Sequence, residues 1–144
     1  MELALKKQKI PAKEIVVYEG GVAEIKNAEK VNLGYPWEVG KWEIYGTSSD
    51  FYDHYLNITV KTKGCKTVMI TATVHDMWGG GRGYAEIVNS TTKDRILERT
   101  AFETVYQSAR ASTITANCAG HDEIIIYLSL NYCFMQVTDI RLEP

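Results

Sequence analysis

The sequence predicts an all-β protein: an antiparallel two-sheet β-sandwich of jelly-roll type, preceded by an amino-terminal arm or hairpin. Three observations carry this expectation. About eight to ten short β-type runs follow one another, with turn signals roughly every eight to twelve residues. No helical periodicity extends beyond two turns. The carboxy-terminal stretch AGHDEIIIYLSLNYCFMQVTDIRLEP, residues 119–144, holds two apolar runs divided only by Asn131-Tyr132. Such a pair is expected as a hairpin too apolar to stand alone in water, so it needs further sheet around it. At 144 residues, with 45% hydrophobic and 24% charged content, the chain suits one domain with a full core.

Residues 1–36 read as an amino-terminal arm or hairpin, and 37–144 as the sandwich. Glu14 to Tyr18 (EIVVY) and Val22 to Lys26 (VAEIK) are short β-type runs joined by Glu19-Gly20-Gly21, where glycine supplies positive φ. Asn32-Leu33-Gly34-Tyr35-Pro36 closes the segment as a loop signal. An aromatic-rich stretch follows, with a strand expected over Lys41–Gly46, a loop over Thr47–Asp53 and a strand over His54–Lys61. Thr67 to His75 is the cleanest strand, because Val68, Ile70, Ala72 and Val74 alternate with Met69, Thr71, Thr73 and His75. Met77–Gly83 reads as a flexible loop, Tyr84–Asn89 as the returning strand, and Asp94–Arg99 as a short strand or a brief helical turn. Thr104–Gln107 and Ala111–Cys118 lead to the terminal pair, Glu123–Leu130 and Cys133–Leu142. The continuous run Ile124–Leu128 is expected to be buried on both faces. Beyond Tyr132, Phe134, Gln136, Thr138, Ile140 and Leu142 alternate with Met135, Val137, Asp139 and Arg141.

Three features of residues 50–144 resemble the galactose-binding-like jelly rolls that include many carbohydrate-binding modules. VMITATV is followed by a Gly-rich loop and the returning strand GYAEIV. AGHDEIIIYLSL is similar to the late "aG-x-h-x-I-x-L" strand, and VTDIRLE to the closing "D-x-I-x-L" strand. The resemblance implies a sandwich that binds sugars, or one that serves as an adhesion or docking module or as a virion component. It also places Asp139 where a closing-strand carboxylate can help hold a structural calcium ion.

Little in the residues suggests catalysis, and the expectation is a non-enzyme without cofactors. GGGRG at 79–83 is neither GxxxxGK[ST] nor GxGxxG, and no helix follows to present its amino end to a phosphate. The His-acid pairs Asp53-His54, His75-Asp76 and His121-Asp122 are adjacent in sequence, so strand geometry sends their side chains apart and they read as turn residues. No GxSxG elbow is present. Trp78, Arg82 and Tyr84 flank the Gly-rich loop, and Phe51 and Tyr52 lie on another. Aromatic rings pack on the C–H faces of sugars while an arginine bonds their hydroxyls, so these five are the candidate ligand-binding residues. No metal ligands are assigned.

A formal net charge of −2 gives no reason to expect nucleic acid, although Lys6, Lys7, Lys9 and Lys13 crowd the start. No run approaches the roughly 18 apolar residues of a membrane span, and MELALKKQKIP lacks the apolar core of a secretory signal. Cys65, Cys118 and Cys133, odd in number and without CxxC spacing, fit buried thiols of a chain made in a reducing cytoplasm. Asn57-Ile58-Thr59 and Asn89-Ser90-Thr91 are then chance glycosylation matches.

Two functions follow as expectations. The first is a non-catalytic structural or binding protein of a larger assembly, a bacteriophage virion component (decoration, head-fibre or tail-associated), docked on its own or other subunits through residues 1–36. The second is a carbohydrate-binding module for surface glycans, built on the five ligand-binding residues above.

Overall fold

The computed structural model describes residues 11–20, 25–33, 55–76, 79–131 and 133–144. Nine strands are found there and no helix, hence none long and apolar enough to cross a membrane. They are β1 (Ile15–Glu19), β2 (Ala28–Leu33), β3 (Tyr55–Lys61), β4 (Thr67–His75), β5 (Arg82–Asn89), β6 (Arg95–Ala101), β7 (Ala109–Asn117), β8 (Glu123–Asn131) and β9 (Phe134–Glu143). A four-stranded sheet has the order β1-β9-β4-β7 and a five-stranded sheet the order β2-β3-β8-β5-β6. Every pairing is antiparallel. This is the β-sandwich that the sequence predicts.

The alternation of each strand builds the core. Ile58, Val60, Ala85, Ile87, Ile124, Ile126, Leu128 and Leu130 of one sheet are buried, as are Val68, Ile70, Ala72, Val74, Met135, Val137, Ile140 and Leu142 of the other. Each of the valine, leucine, isoleucine and methionine side chains among them removes apolar surface from water worth roughly 1.5–3 kcal/mol. Phe102, 2% exposed, fills the crossing from β6 to β7.

Residues 11–20 and 25–33, read as part of an arm or hairpin, supply one edge strand to each sheet: β1 lies against β9, and β2 against β3. Val17 and Tyr18 are buried in the common core. The division at residues 36 and 37, and the strand expected at 41–46, lie outside the described residues.

Two expectations about the carboxy-terminal stretch are corrected. β8 and β9 do not form a hairpin, because β8 lies between β3 and β5 while β9 lies between β1 and β4. The link between them carries the chain from one layer to the other. Nor is Ile124–Leu128 buried on both faces: Ile124, Ile126 and Leu128 are fully buried, whereas Ile125 and Tyr127 on the outer face are partly exposed. A continuous apolar run arises here because the outer face also carries apolar groups.

β9 also departs from simple alternation. Against β4, Ala72 faces Val137 but Thr71 faces Asp139, so Thr138 is the extra residue of a β-bulge. The bulge shifts the phase, and Met135, Val137, Ile140 and Leu142 all reach the core. The alternation read from the sequence had put Met135 and Val137 on the face opposite Ile140 and Leu142.

Candidate functional site

Two outward-facing surfaces, one per sheet, and the loops between layers are the places where a ligand could meet this fold. The outer face of the five-stranded sheet is the richer in binding chemistry. Its side chains follow from register. Asn57 of β3 lies opposite Tyr127 of β8, which lies opposite Glu86 of β5. One row along, Ser129 lies opposite Tyr84. In the other direction Thr59 lies opposite Ile125, and Ile125 opposite Val88. Neighbouring strands are about 4.8 Å apart, and the diagonal pair Tyr84 and Tyr127 is about 7–8 Å apart.

β6 holds the near edge of this platform. The Arg99 guanidinium carbon lies 3.9 Å from the centre of the Tyr84 ring, a cation–π contact that fixes the ring's position. Arg95 forms an ion pair with Glu86 and so holds that carboxylate against the sheet. Toward β3, the side-chain oxygen of Asn57 is shielded from solvent and meets no hydrogen-bond donor. An acceptor left so typically costs about 1–3 kcal/mol. Two tyrosines, an anchored carboxylate and an unpaired amide carbonyl thus share one face.

The Gly-rich loop lies at the end of β5. Asp76, 3% exposed, directs its Oδ1 to the amides of Gly79 (2.9 Å) and Gly81 (3.1 Å). Gly79 and Gly80 have φ of 87° and 82°, in the left-handed region that favours glycine. Within the segment read as flexible, the amides of Gly79 and Gly81 are thus held by one buried carboxylate, and no phosphate-binding geometry is needed to explain these glycines.

Among the predicted ligand-binding residues, Arg82 and Tyr84 leave β5 on the same outer face, flanking the inward Gly83. The Arg82 guanidinium turns back to the loop, donating to the Gly81 carbonyl at 2.7 Å and lying 3.9 Å from Asp76 Oδ2. Tyr84 stays on the sheet face. Trp78, Phe51 and Tyr52 lie outside the described residues, as do residues 1–10 of the docking arm. Sequence reasoning missed Asn57 and Tyr127. The signal available was phase: Tyr127 and Ser129 sit out of step with Ile124, Ile126, Leu128 and Leu130. The apolar Ile125 beside them hid it.

The two described His-acid pairs behave as turn and strand residues. The His121 ring nitrogen Nδ1 lies 3.0 Å from Asn89 Nδ2, and His75 packs 6.3 Å from the Phe134 ring centre. The pair Asp53-His54 lies outside the described residues. Among the described residues no cluster of three or more His, Cys, Asp or Glu could hold a metal ion. At Asp139, the implied calcium position, Arg141 donates from Nε to Oδ1 at 2.6 Å and from Nη2 to Oδ2, while its Nη1 reaches Glu14 at 3.2 Å. A guanidinium already neutralises that carboxylate, so these residues do not fit a calcium ion.

The sandwich matches solved structures of carbohydrate-binding modules. Two variants of a family 29 module match with TM-scores of 0.54 and 0.52, at 10% and 11% identity; they cover 92% of this chain in both cases and 86% and 92% of theirs. The K2 cleaved adhesin domain of Lys-gingipain matches with a TM-score of 0.50 at 11% identity, over 91% of this chain and 98% of that one. No family model and no curated protein matches the sequence. The fold is thus a β-sandwich of the carbohydrate-binding-module type.

Proposed function

We propose that this protein is a non-catalytic glycan-binding module whose site is the outer face of the five-stranded sheet. Tyr84 and Tyr127 supply flat apolar surface for the C–H faces of sugar rings. Glu86, held by Arg95, accepts hydrogen bonds from ring hydroxyls, and a turn of the Asn57 side chain on binding would bring its shielded Oδ1 to a hydroxyl and give that acceptor the partner it lacks. Arg82 and the Gly-rich loop border the platform at one end, with Trp78 next to them in sequence. The observation that carries the reading is the pairing of two tyrosines with an unpaired acceptor on one sheet face. The likeness in fold to carbohydrate-binding modules supports it, and of the two functions read from the sequence it favours this second one. The virion reading finds no support in the neighbours.

A glycan array followed by calorimetry on the best ligand tests the proposal. Tyr84→Ala and Tyr127→Ala should each weaken binding roughly tenfold or more, the loss of one stacking contact of about 1.5 kcal/mol. Asn57→Ala should weaken it while raising thermal stability, because the buried unpaired carbonyl goes with it. Wild-type protein that binds no glycan, or Tyr127→Ala protein that binds like wild type, rejects the site.

A further inference from the structure

Two thiols that the glycan reading does not use lie side by side in the core. Cys65, 2% exposed, ends the turn that leads into β4, and Cys118, fully buried, follows the last residue of β7. β4 and β7 run antiparallel with Thr67 opposite Asn117, which brings Lys66 opposite Cys118. The Cys118 amide accordingly donates to the Lys66 carbonyl at 2.8 Å. Partners in such a ladder have Cα atoms about 5.5 Å apart, so Cys65, one residue along, lies about 6–6.5 Å from Cys118. That is inside the Cα range a disulfide spans. The turn is closed by the Cys65 amide on the Thr62 carbonyl at 2.9 Å, and the Cys65 side chain is carried inward. There the Cys118 thiol donates to the Cys65 carbonyl at 3.5 Å. Burial pushes the Cys118 thiol up, and repulsion from the Cys65 sulfur adds to the shift. The two sulfurs thus share one corner of the core. Weak S–H bonds hold the reduced arrangement, the second running from Cys65 to the Lys13 carbonyl at 3.1 Å.

We propose that Cys65 and Cys118 join in a disulfide when the chain folds in an oxidising medium, stapling the start of β4 to the end of β7. One thiol, as its thiolate, attacks glutathione disulfide and expels a glutathione thiolate. The other, deprotonated in turn, displaces the second glutathione and closes the S–S bond. Two cysteine thiols are oxidised, and one glutathione disulfide is reduced to two glutathione thiols. The exchange belongs to folding rather than to the finished fold, because both thiols are buried and burial holds them protonated. The bridge encloses β4 to β7 in one covalent loop, which restricts the unfolded chain far more than the folded one. No sequence spacing announces this pair, since it is the pairing of β4 with β7 that brings the residues together. Cys133 is no competitor. Its neighbour Phe134 pairs with His75, at the opposite end of β4 from Thr67 and roughly 25 Å away along the strand. The staple lies in the four-stranded sheet and the Tyr84 platform in the other, so staple and glycan site stand or fall separately.

Refolding the full chain from denaturant in reduced or in oxidised glutathione tests this. Protein from the oxidised arm should be lighter by two hydrogen atoms, and its non-reduced digest should hold the peptides of Cys65 and Cys118 joined. Its melting temperature should exceed that of the reduced protein by roughly 5–10 °C and fall back with dithiothreitol. Cys65→Ser and Cys118→Ser should each abolish the mass change and the thermal gain. Serine at 65 still offers the Lys13 carbonyl a donor, so the lost gain reports the bridge and not that bond. Cys133→Ala should keep both signals. The digest of the wild type decides the matter if a variant fails to fold. Cys65 or Cys118 left free or capped by glutathione after oxidative refolding, a bridge that includes Cys133, or a bridged form that melts no higher than the reduced one overturns the inference.

Discussion

A Cβ on Gly83 would overlap Met135 Sδ and lie 3.2 Å from Val74 Cγ2, so this inward position between Arg82 and Tyr84 has no room for a side chain. Gly83→Ala should cost about 1–3 kcal/mol, toward the lower end because methionine adapts, and a denaturant titration would measure it. Glu143 makes a different kind of prediction. Its hydrogen bond to Glu14 and partial desolvation push its carboxyl above the usual glutamate range, helped by repulsion from Glu14. A raised folded-state value means the contribution is fully present below the ordinary glutamate range and is lost as pH rises through the raised value. Asp139 also opposes the charged form and Arg141 favours it. Glu143→Gln should therefore flatten the pH dependence of the melting temperature just above the glutamate range. Identical profiles for the two proteins would contradict this. The thiols of Cys65 and Cys118 are likewise pushed up, chiefly by burial. Alkylation followed by mass spectrometry should leave both unmodified until the chain unfolds.

At the level of strands, the period of two in Thr67–His75 was fully legible, because each inward side chain differs in polarity from its outward neighbours. β6 was half legible: Ile96 and Leu97 adjoin, and with the two register shifts the pattern fits a strand or a turn of helix. The bulge at Thr138 was not legible, since an extra residue leaves no mark when apolar groups stand on both sides of it. Nor was the passage of the chain from β8 to β9 between layers, since a two-residue link reads the same whether the strands pair or part. Asp76 was read as a turn residue, but its bonds to Gly79 and Gly81 set the shape of the following loop. Asp76→Ala leaves those two amides unpaired, one of them buried, and should cost about 1–3 kcal/mol by thermal or chemical denaturation. The same substitution should loosen the end of the proposed sugar platform, raising hydrogen exchange at Gly79 and Gly81 before the rest of β5.

For the whole molecule, the strand order pairs segments far apart in sequence: β1 with β9, β3 with β8, β4 with β9. Such long-range closure predicts folding in about milliseconds to seconds rather than microseconds, which stopped-flow refolding would check. Arg141 ties the two extremes of the described chain, bonding Asp139 on its own strand and Glu14 just before β1. Because that guanidinium takes the position a calcium ion would need, a chelator should leave the melting temperature unchanged, and a clear drop would reveal a cation after all. The β1–β9 ladder has one more consequence. Ile15 stands across from Leu142, and Glu19 across from Asp139, so the chain enters and leaves at the same end of this pair. A pull applied to both extremities would open the bonds in succession, like a zipper, instead of loading them together in shear. The sandwich should then yield at low force when tethered in line, however stable it proves to heat.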